Sequence, residues 1–281
     1  VKNFTDKVVV ITGAASGMGR EYALEFARLG AVVAITDVNA EQLAETHNMV
    51  KAITRKNSLS EVLDIAAEES VTDFAGKVKR ELGNAHIIIN NAGIGGGGAP
   101  VWVQDNGQYH TTMQVNFFAV VYITKAFLPQ LLANQEGAVV NVSSVFGLLG
   151  TPGTSDYCAS KFAVRGFTES LMVELADTPI SVHLVHPGGI KTNIAKHSKN
   201  GAEFEEKYLK TDPLFAVREV IKGIKSGKQR MIFGYQSSLL RFLTLLPLKL
   251  RNRILHREMG DMRDPEHYAV LEQYSTSSSR S

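Results

Sequence analysis

Three side chains in one stretch have the types and spacing for proton transfer beside a bound oxygen. They are Ser144, Tyr157 and Lys161, within residues 141–164 (NVSSVFGLLGTPGTSDYCASKFAV). Tyr157 and Lys161 are four residues apart at the head of a run that reads as helix, so the spacing puts both on one face. A phenol titrates at about pH 10, too high for acid–base work near neutrality; a nearby ammonium favours the phenolate and lowers that value. Ser144 follows an apolar run, residues 138–142, expected as a strand. That places it at the carboxyl end of a sheet, the edge where open α/β sheets bind ligands. The same pair also fits a half-buried tyrosine beside a solvated lysine, and this stretch alone does not choose between the two.

The elements that must carry these residues alternate. Residues 7–12 (KVVVIT) are a β-branched run expected as a buried strand, followed by Gly13, Gly17 and Gly19, a helical pattern to about Leu29 and a stop at Gly30. A second strand, 31–36, ends at Asp37. Next come a helix at 40–52, a strand at 58–63 ending at Asp64, a helix at 66–82 and a strand at 86–89 before Asn90-Asn91-Ala92-Gly93. The remaining expectations are a long helix at 115–132 carrying Pro129, strand 138–142, helix 157–175, strand 180–185 running into His186-Pro187-Gly188, helix 213–225 and strand 230–233. Such alternation predicts an α/β fold: a doubly wound parallel sheet of about seven strands, helices on both faces and right-handed crossovers. No repeat or linker interrupts residues 1–235, which are expected to form one domain. Residues 192–212 are polar between apolar blocks, and a segment that long reads as a substrate lid.

The glycine turn Thr12-Gly13-Ala14-Ala15-Ser16-Gly17-Met18-Gly19 is TGxxxGxG rather than the strict G-x-G-x-x-G. The physics is shared: glycines permit close backbone approach, and the helix amino terminus offers N–H groups and a positive dipole to a pyrophosphate. Asp37, about twenty residues on, stands where an acid bonds the ribose hydroxyls of NAD and repels a 2′-phosphate. Val38 and Asn39 follow with no arginine to receive that phosphate, so NAD is expected over NADP. Asp37 could instead cap the next helix.

Composition excludes several classes. The chain has 281 residues, 44% hydrophobic, with a net charge of +2, which makes no case for a nucleic-acid partner. A single cysteine, Cys158, rules out an internal disulfide and suits a reducing, cytoplasmic setting. Lys2, Asn3, Thr5 and Asp6 interrupt any apolar leader in this sequence. There is no G-x-S-x-G elbow and no GxxxxGK[ST] loop. His183 and His186 flank one strand without a second cluster, so they read as structural and no metal is expected. Residues 237–259 are leucine-rich with Arg241, Lys249, Arg251, Arg253 and Arg257 interleaved, within a helical extension at 236–274. A membrane span needs about 20 apolar residues, and Arg241 and Pro247 interrupt this run. It reads as amphipathic helices packed over the site or an interface, or as a peripheral membrane contact. Residues 275–281 are serine-rich and expected to be disordered.

The ordered set resembles the short-chain dehydrogenase/reductase family: TGxxxGxG, Asn90-Asn91-Ala92-Gly93, Ser144 thirteen residues before Tyr157, YxxxK, and Pro187-Gly188. The resemblance covers about residues 8–234 and implies a Rossmann fold. It also implies that Tyr157 is the acid/base, that Lys161 tunes it and holds the nicotinamide ribose, and that Ser144 bonds the substrate oxygen. Asn116 completes a proton relay through water in this reading. Gly13, Ser16, Gly17, Met18 and Gly19 would hold the pyrophosphate, Asp37 the ribose, Asp64 and Ile65 the adenine, and Asn90, Asn91, Ala92 and Gly93 the adenosine side. Pro187, Gly188, Ile190 and Thr192 would reach the nicotinamide. Two features depart from the family pattern: four successive glycines at 95–98, and the long apolar carboxyl extension, which bears on the dimer or tetramer the family usually forms.

The reading that follows is an NAD-dependent oxidoreductase acting on a secondary alcohol or ketone. Val145, Phe146, Leu148 and Leu149 beside Ser144 suggest an apolar substrate, lipid-, steroid- or retinoid-like. The rivals are a catalytically silent NAD-binding module, against which Ser144, Tyr157, Lys161 and Asn116 together argue, and a membrane-surface protein acting on lipids.

Overall fold

The computed structural model describes residues 1–195, 201–260 and 263–275. One sheet contains β1 (Val8–Thr12), β2 (Val32–Asp37), β3 (Leu59–Val62), β4 (Ile87–Asn90), β5 (Gly137–Val142), β6 (Ile180–Pro187) and β7 (Arg230–Phe233). The spatial order is β3-β2-β1-β4-β5-β6-β7, and every neighbouring pair is parallel. The chain winds outward from β1 to β3, then crosses back to β4. The order therefore reverses between β1 and β4, and a crevice opens at their carboxyl ends.

Alternate strand residues feed two cores. Val9 and Ile11 face α1 (Gly17–Arg28), α2 (Ala40–Ile53) and α8 (Pro213–Lys225), packing with Tyr22, Phe26, Leu43, Val217 and Val220. Val8 and Val10 face α3 (Glu68–Leu82), α5 (Ala119–Ala133) and α6 (Ser155–Glu174), packing with Phe74, Val78, Phe127, Leu131 and Leu171. The central strands are mostly apolar because helices cover both faces.

The expected helix at 115–132 is longer. It begins at α4 (Asn106–Met113), passes through a π turn at Gln114–Phe118 and continues as α5. Residues 106–113 are polar and bury only Thr112, so no apolar period announces them. Pro129 lies inside α5 without ending it; Lys125, whose carbonyl loses an N–H partner there, faces solvent. By length and composition Asn106–Ala133 could cross a bilayer, yet it buries Asn116, Ile123, Phe127 and Leu131 as a core helix. β6 runs to Pro187, past the expected end, because His186 and Pro187 stay in register with Ile232 and Phe233.

Of the stretch expected as a lid, Asn193–Ala195 forms a 3-10 turn and α7 (Gly201–Tyr208) follows; residues 196–200 lie outside the described residues, as do 276–281 of the tail. After β7 come α9 (Ser237–Leu243), α10 (Leu248–Glu258) and α11 (Pro265–Ser275). Leu240, Leu243, Leu255 and Met259 pack with Val145 and Leu149, so these helices close over the loop that follows β5. The Trp102 indole N–H donates to the His267 carbonyl at 2.9 Å, and its ring meets Tyr268 edge-on at 5.1 Å, tying α11 to the loop after β4.

Candidate active site

The turn between β1 and α1 is built on glycine. Gly13 and Gly17 have φ of +69° and +52°, where a side chain is strained. A Cβ on Gly13 would stand 2.8 Å from the Ala92 Cα, and one on Gly19 would stand 1.9 Å from the Gly13 carbonyl oxygen. Ser16 occupies the N-cap of α1 without a side-chain capping bond, so no capping side chain takes the leading N–H groups. That is a cradle suited to a pyrophosphate.

Asp37 ends β2 with its carboxylate at this turn. It accepts from the Ala15 N–H at 3.0 Å and the Asn39 N–H at 2.9 Å. It does not cap α2; Asn39 does, accepting from the Gln42 N–H at 3.0 Å. Arg20, the one cation near the turn in sequence, is engaged elsewhere: it donates to the Ala15 carbonyl at 2.7 Å and pairs with Glu45 at 3.0 Å. Asp64 and the buried Ile65 follow β3 on the same side of the cavity. Below them Thr12 accepts from the Asn91 and Ala92 N–H groups at 3.2 and 3.1 Å, and Asn91 donates to the Thr12 carbonyl at 3.0 Å. Asn90 lies deeper, donating to Asn141 at 2.8 Å, while Asn141 donates to Thr168 at 3.0 Å. This buried chain of amides joins β4, β5 and α6.

Ser144 leaves β5 in extended conformation, and its hydroxyl accepts from the Phe146 N–H at 3.1 Å. Tyr157 and Lys161 project from the first turns of α6. The lysine Nζ sits 5.6 Å from the centre of the tyrosine ring and donates to the Val142 carbonyl at 3.2 Å. Burial dominates the electrostatics. It pushes the Tyr157 phenol up to about 12, with hydrogen bonding by Ser144 pulling the other way, and it lowers Lys161 to about 8. The net direction for the phenol is opposite to the expectation from the Tyr–Lys spacing alone. Desolvation of the ring outweighs the hydrogen bond from Ser144.

Asn116 sits in the π turn and is fully buried. Its amide donates to the Ile94 carbonyl and to Ser160, both at 3.0 Å, and its oxygen accepts from the Ile94 N–H at 2.8 Å. A Cβ placed on Gly93 would touch both Asn116 Oδ1 at 3.1 Å and Lys161 Nζ at 3.3 Å, so these three positions converge.

One cavity of about 890 Å³ joins these parts. Gly13, Ser16, Gly17, Met18, Asp37, Asp64, Ile65, Asn91, Ala92, Gly93, Ser144, Tyr157, Lys161, Pro187, Gly188, Ile190 and Thr192 all line it. Gly19 and Asn116 stand behind its wall. Of the apolar set expected beside Ser144, Val145 and Phe146 line the cavity, whereas Leu149 turns into the cluster under α9 and α10. Leu240 and Met259 from those helices reach the cavity, as do Phe204, Tyr208 and Leu209.

Two residues at the site escaped the sequence reading. Asp156, beside Tyr157, is 1% exposed rather than solvated. His186 touches the site: its Nδ1 lies 2.7 Å from the Ser144 carbonyl, while its Nε2 is buried with no hydrogen-bond partner among the described residues. Burial pushes it down to about 4, so the ring is neutral and Nδ1–H donates. An acid at the first turn of an apolar helix and a histidine ending a buried strand were the available signals.

A family model described as short chain dehydrogenase matches residues 7–203. A putative oxidoreductase, SadH, from Mycobacterium tuberculosis is 39% identical over 248 residues, covering 84% of this chain and 89% of the relative. Epidermal retinol dehydrogenase 2 from Mus musculus is 39% identical over 255 residues, covering 88% of this chain and 81% of its own length. A short-chain dehydrogenase/reductase from Burkholderia phymatum, solved with NAD, superposes with a TM-score of 0.81 at 25% identity, covering 94% of this chain and 98% of that one. A metagenomic short-chain oxidoreductase solved with NADP gives a TM-score of 0.68 at 25% identity over 80% of this chain and 92% of that one. With the matched region spanning β1 to the start of α7, the chain belongs to the short-chain dehydrogenase family of oxidoreductases.

Proposed function

We propose that this oxidoreductase interconverts an apolar secondary alcohol and its ketone, with NAD preferred to NADP. One observation carries the reading: Ser144, Tyr157 and Lys161 line the same cavity as the glycine turn and Asp37. The bound nicotinamide would accept or supply the hydride. The chain's own residues do the rest. In reduction Tyr157, held protonated by burial, gives its proton to the substrate oxygen; in oxidation it takes that proton back. Ser144 hydrogen-bonds the same oxygen. Lys161, positively charged below about 8, favours the phenolate as it forms. Asn116 anchors Ile94 and Ser160 around this group and stands where a water relay would pass. Asp37, with Arg20 engaged by Glu45, disfavours a 2′-phosphate.

The apolar substrate end is supported by Val145, Phe146, Leu240 and Met259 in the cavity wall and by the retinol dehydrogenases among the relatives. The test is NADH formation across secondary alcohols of increasing length, with the primary alcohol retinol run beside them. Turnover that improves with apolar length supports the reading. Tight NAD binding with no turnover of any alcohol or ketone would favour the silent module instead.

A peripheral membrane contact is favoured by a specific observation. Leu239, Phe242, Leu245, Leu248 and Leu250 are exposed on and between α9 and α10, with Arg241, Lys249, Arg253 and Arg257 among them. A second copy of the chain is proposed to dock on α6 and the π turn that leads into α5. There Phe118 and Phe162 are 38% and 41% exposed, and Phe118 lies against Phe117 and Tyr122.

A further inference from the structure

The four glycines at 95–98 supply no side chains to the cavity they line, so the place of their backbone alone defines that wall. What fixes this backbone is Asp156. Its Oδ2 accepts from the Gly97 N–H at 2.9 Å, the Thr112 hydroxyl at 3.3 Å and the Gln104 amide at 3.4 Å. The carboxylate is buried, and among the described residues no cation pairs with it. Three converging donors and the amino terminus of α6 compensate its charge. Tyr109 and Ser155, with their oxygens 2.5 Å apart, tie α4 to the same turn.

The contacts are tight enough to dictate sequence. A Cβ on Gly96 would lie 2.3 Å from Asp156 Oδ1, one on Gly97 would lie 2.0 Å from the Gln104 side chain, and one on Gly95 would lie 2.5 Å from the Ile194 carbonyl. Backbone requires glycine at 95, whereas a Cβ at 96 or 97 would displace the ends of the Asp156 and Gln104 side chains and so disturb the clamp itself. A purely packing role at Asp156 would be filled as well by an apolar side chain of similar volume, without the penalty of burying a charge. A side-chain oxygen acceptor is needed because the group it grips is a backbone N–H.

We propose that Asp156 is a positioning residue for substrate selection. By clamping the glycine loop and α4 to the turn that carries Tyr157, it sets the width of the cleft beside the reacting oxygen. The cleft then discriminates among alcohols by bulk next to the carbinol carbon. This rests on the alcohol–ketone reading above.

The test compares Asp156→Ala, Asp156→Asn and Gly96→Ala in the full chain, with a small and a bulky secondary alcohol. Asp156→Ala should change the ratio of KM for bulky to small alcohol by roughly tenfold, the scale of losing a charge-assisted hydrogen bond. NAD affinity should be unchanged. Asp156→Asn, which keeps one acceptor, should restore most of the wild-type ratio. Gly96→Ala should shift the ratio as well, and the Asp156→Ala/Gly96→Ala pair should be clearly non-additive. Hydrogen exchange at residues 95–104 should speed up in Asp156→Ala; this readout needs no turnover, so it stands even if the wild type oxidises no alcohol and the broader reading fails. An unchanged exchange rate there would overturn the clamp. A uniform loss of kcat with an unaltered KM ratio would overturn the role in selection.

Discussion

Lys161 Nζ stands 5.6 Å from the centre of the Tyr157 ring and donates to the Val142 carbonyl at 3.2 Å. The ammonium is therefore anchored to the end of β5 and faces the flat of the ring. With the phenol pushed up to about 12, the proposed reaction should be limited by deprotonation in oxidation more than by proton donation in reduction. Alcohol oxidation should climb through the alkaline range, and ketone reduction should not. Lys161→Ala should lower oxidation by roughly a hundredfold or more, within the range for general acid–base catalysis. Steady-state rates in both directions against pH check this; identical profiles would contradict it.

Asp37 should decide the coenzyme. Asp37→Ala should shift the ratio of kcat/KM for NAD over NADP toward NADP by about tenfold, through loss of ribose bonding and relief of phosphate repulsion. An unchanged ratio would remove Asp37 from this role.

His186 predicts a stability effect with a definite sign. Its folded pKa, about 4, lies below the ordinary value of 6.5. Between these values the unfolded chain binds the proton and the folded chain does not, so stability rises with pH across that window and is complete above it. His186→Gln should flatten the acid limb of a denaturant-midpoint profile by up to about 3 kcal/mol. A slope equal to that of the wild type would show that the ring titrates freely in the fold.

The amide chain behind the site should be costly to break. Asn90→Ala leaves the Asn141 oxygen without its 2.8 Å donor in a buried setting. The expected loss is about 1–3 kcal/mol in urea unfolding. A loss below half a kcal/mol would mean water replaces the amide.

The leucines that point outward on α9 should matter only to lipid. Leu239→Ser with Phe242→Ser should reduce sedimentation with vesicles containing phosphatidylserine, and less so with neutral vesicles. Equal pelleting of wild type and variant would remove the membrane contact.

The strand and helix pattern was legible because buried parallel strands are short β-branched runs and the helices between them carry an apolar stripe. The glycine turn and the acid after β2 were legible because their spacing is local. Three features were not. Residues 106–113 have no apolar period, since α4 is held by polar contacts to α6. Asp156 looks like any first-turn acid until donors from residues 97, 104 and 112 arrive around it. The split of the carboxyl extension, with Leu240, Leu243 and Leu255 inward and Leu239, Phe242 and Leu245 outward, depends on where α9 and α10 land. The Tyr157–Lys161 pair lies between these cases: spacing showed the shared face, but only the fold shows Lys161 buried and Tyr157 half-buried at the cavity wall.

The central claim is that Tyr157 moves the proton in a cavity that also binds NAD. The most direct measurement is single-turnover hydride transfer by Tyr157→Phe, with NAD affinity measured on the same protein. Transfer should fall by roughly a hundredfold to ten-thousandfold while the NAD Kd stays within about twofold. Retention of most of the wild-type rate would contradict the account.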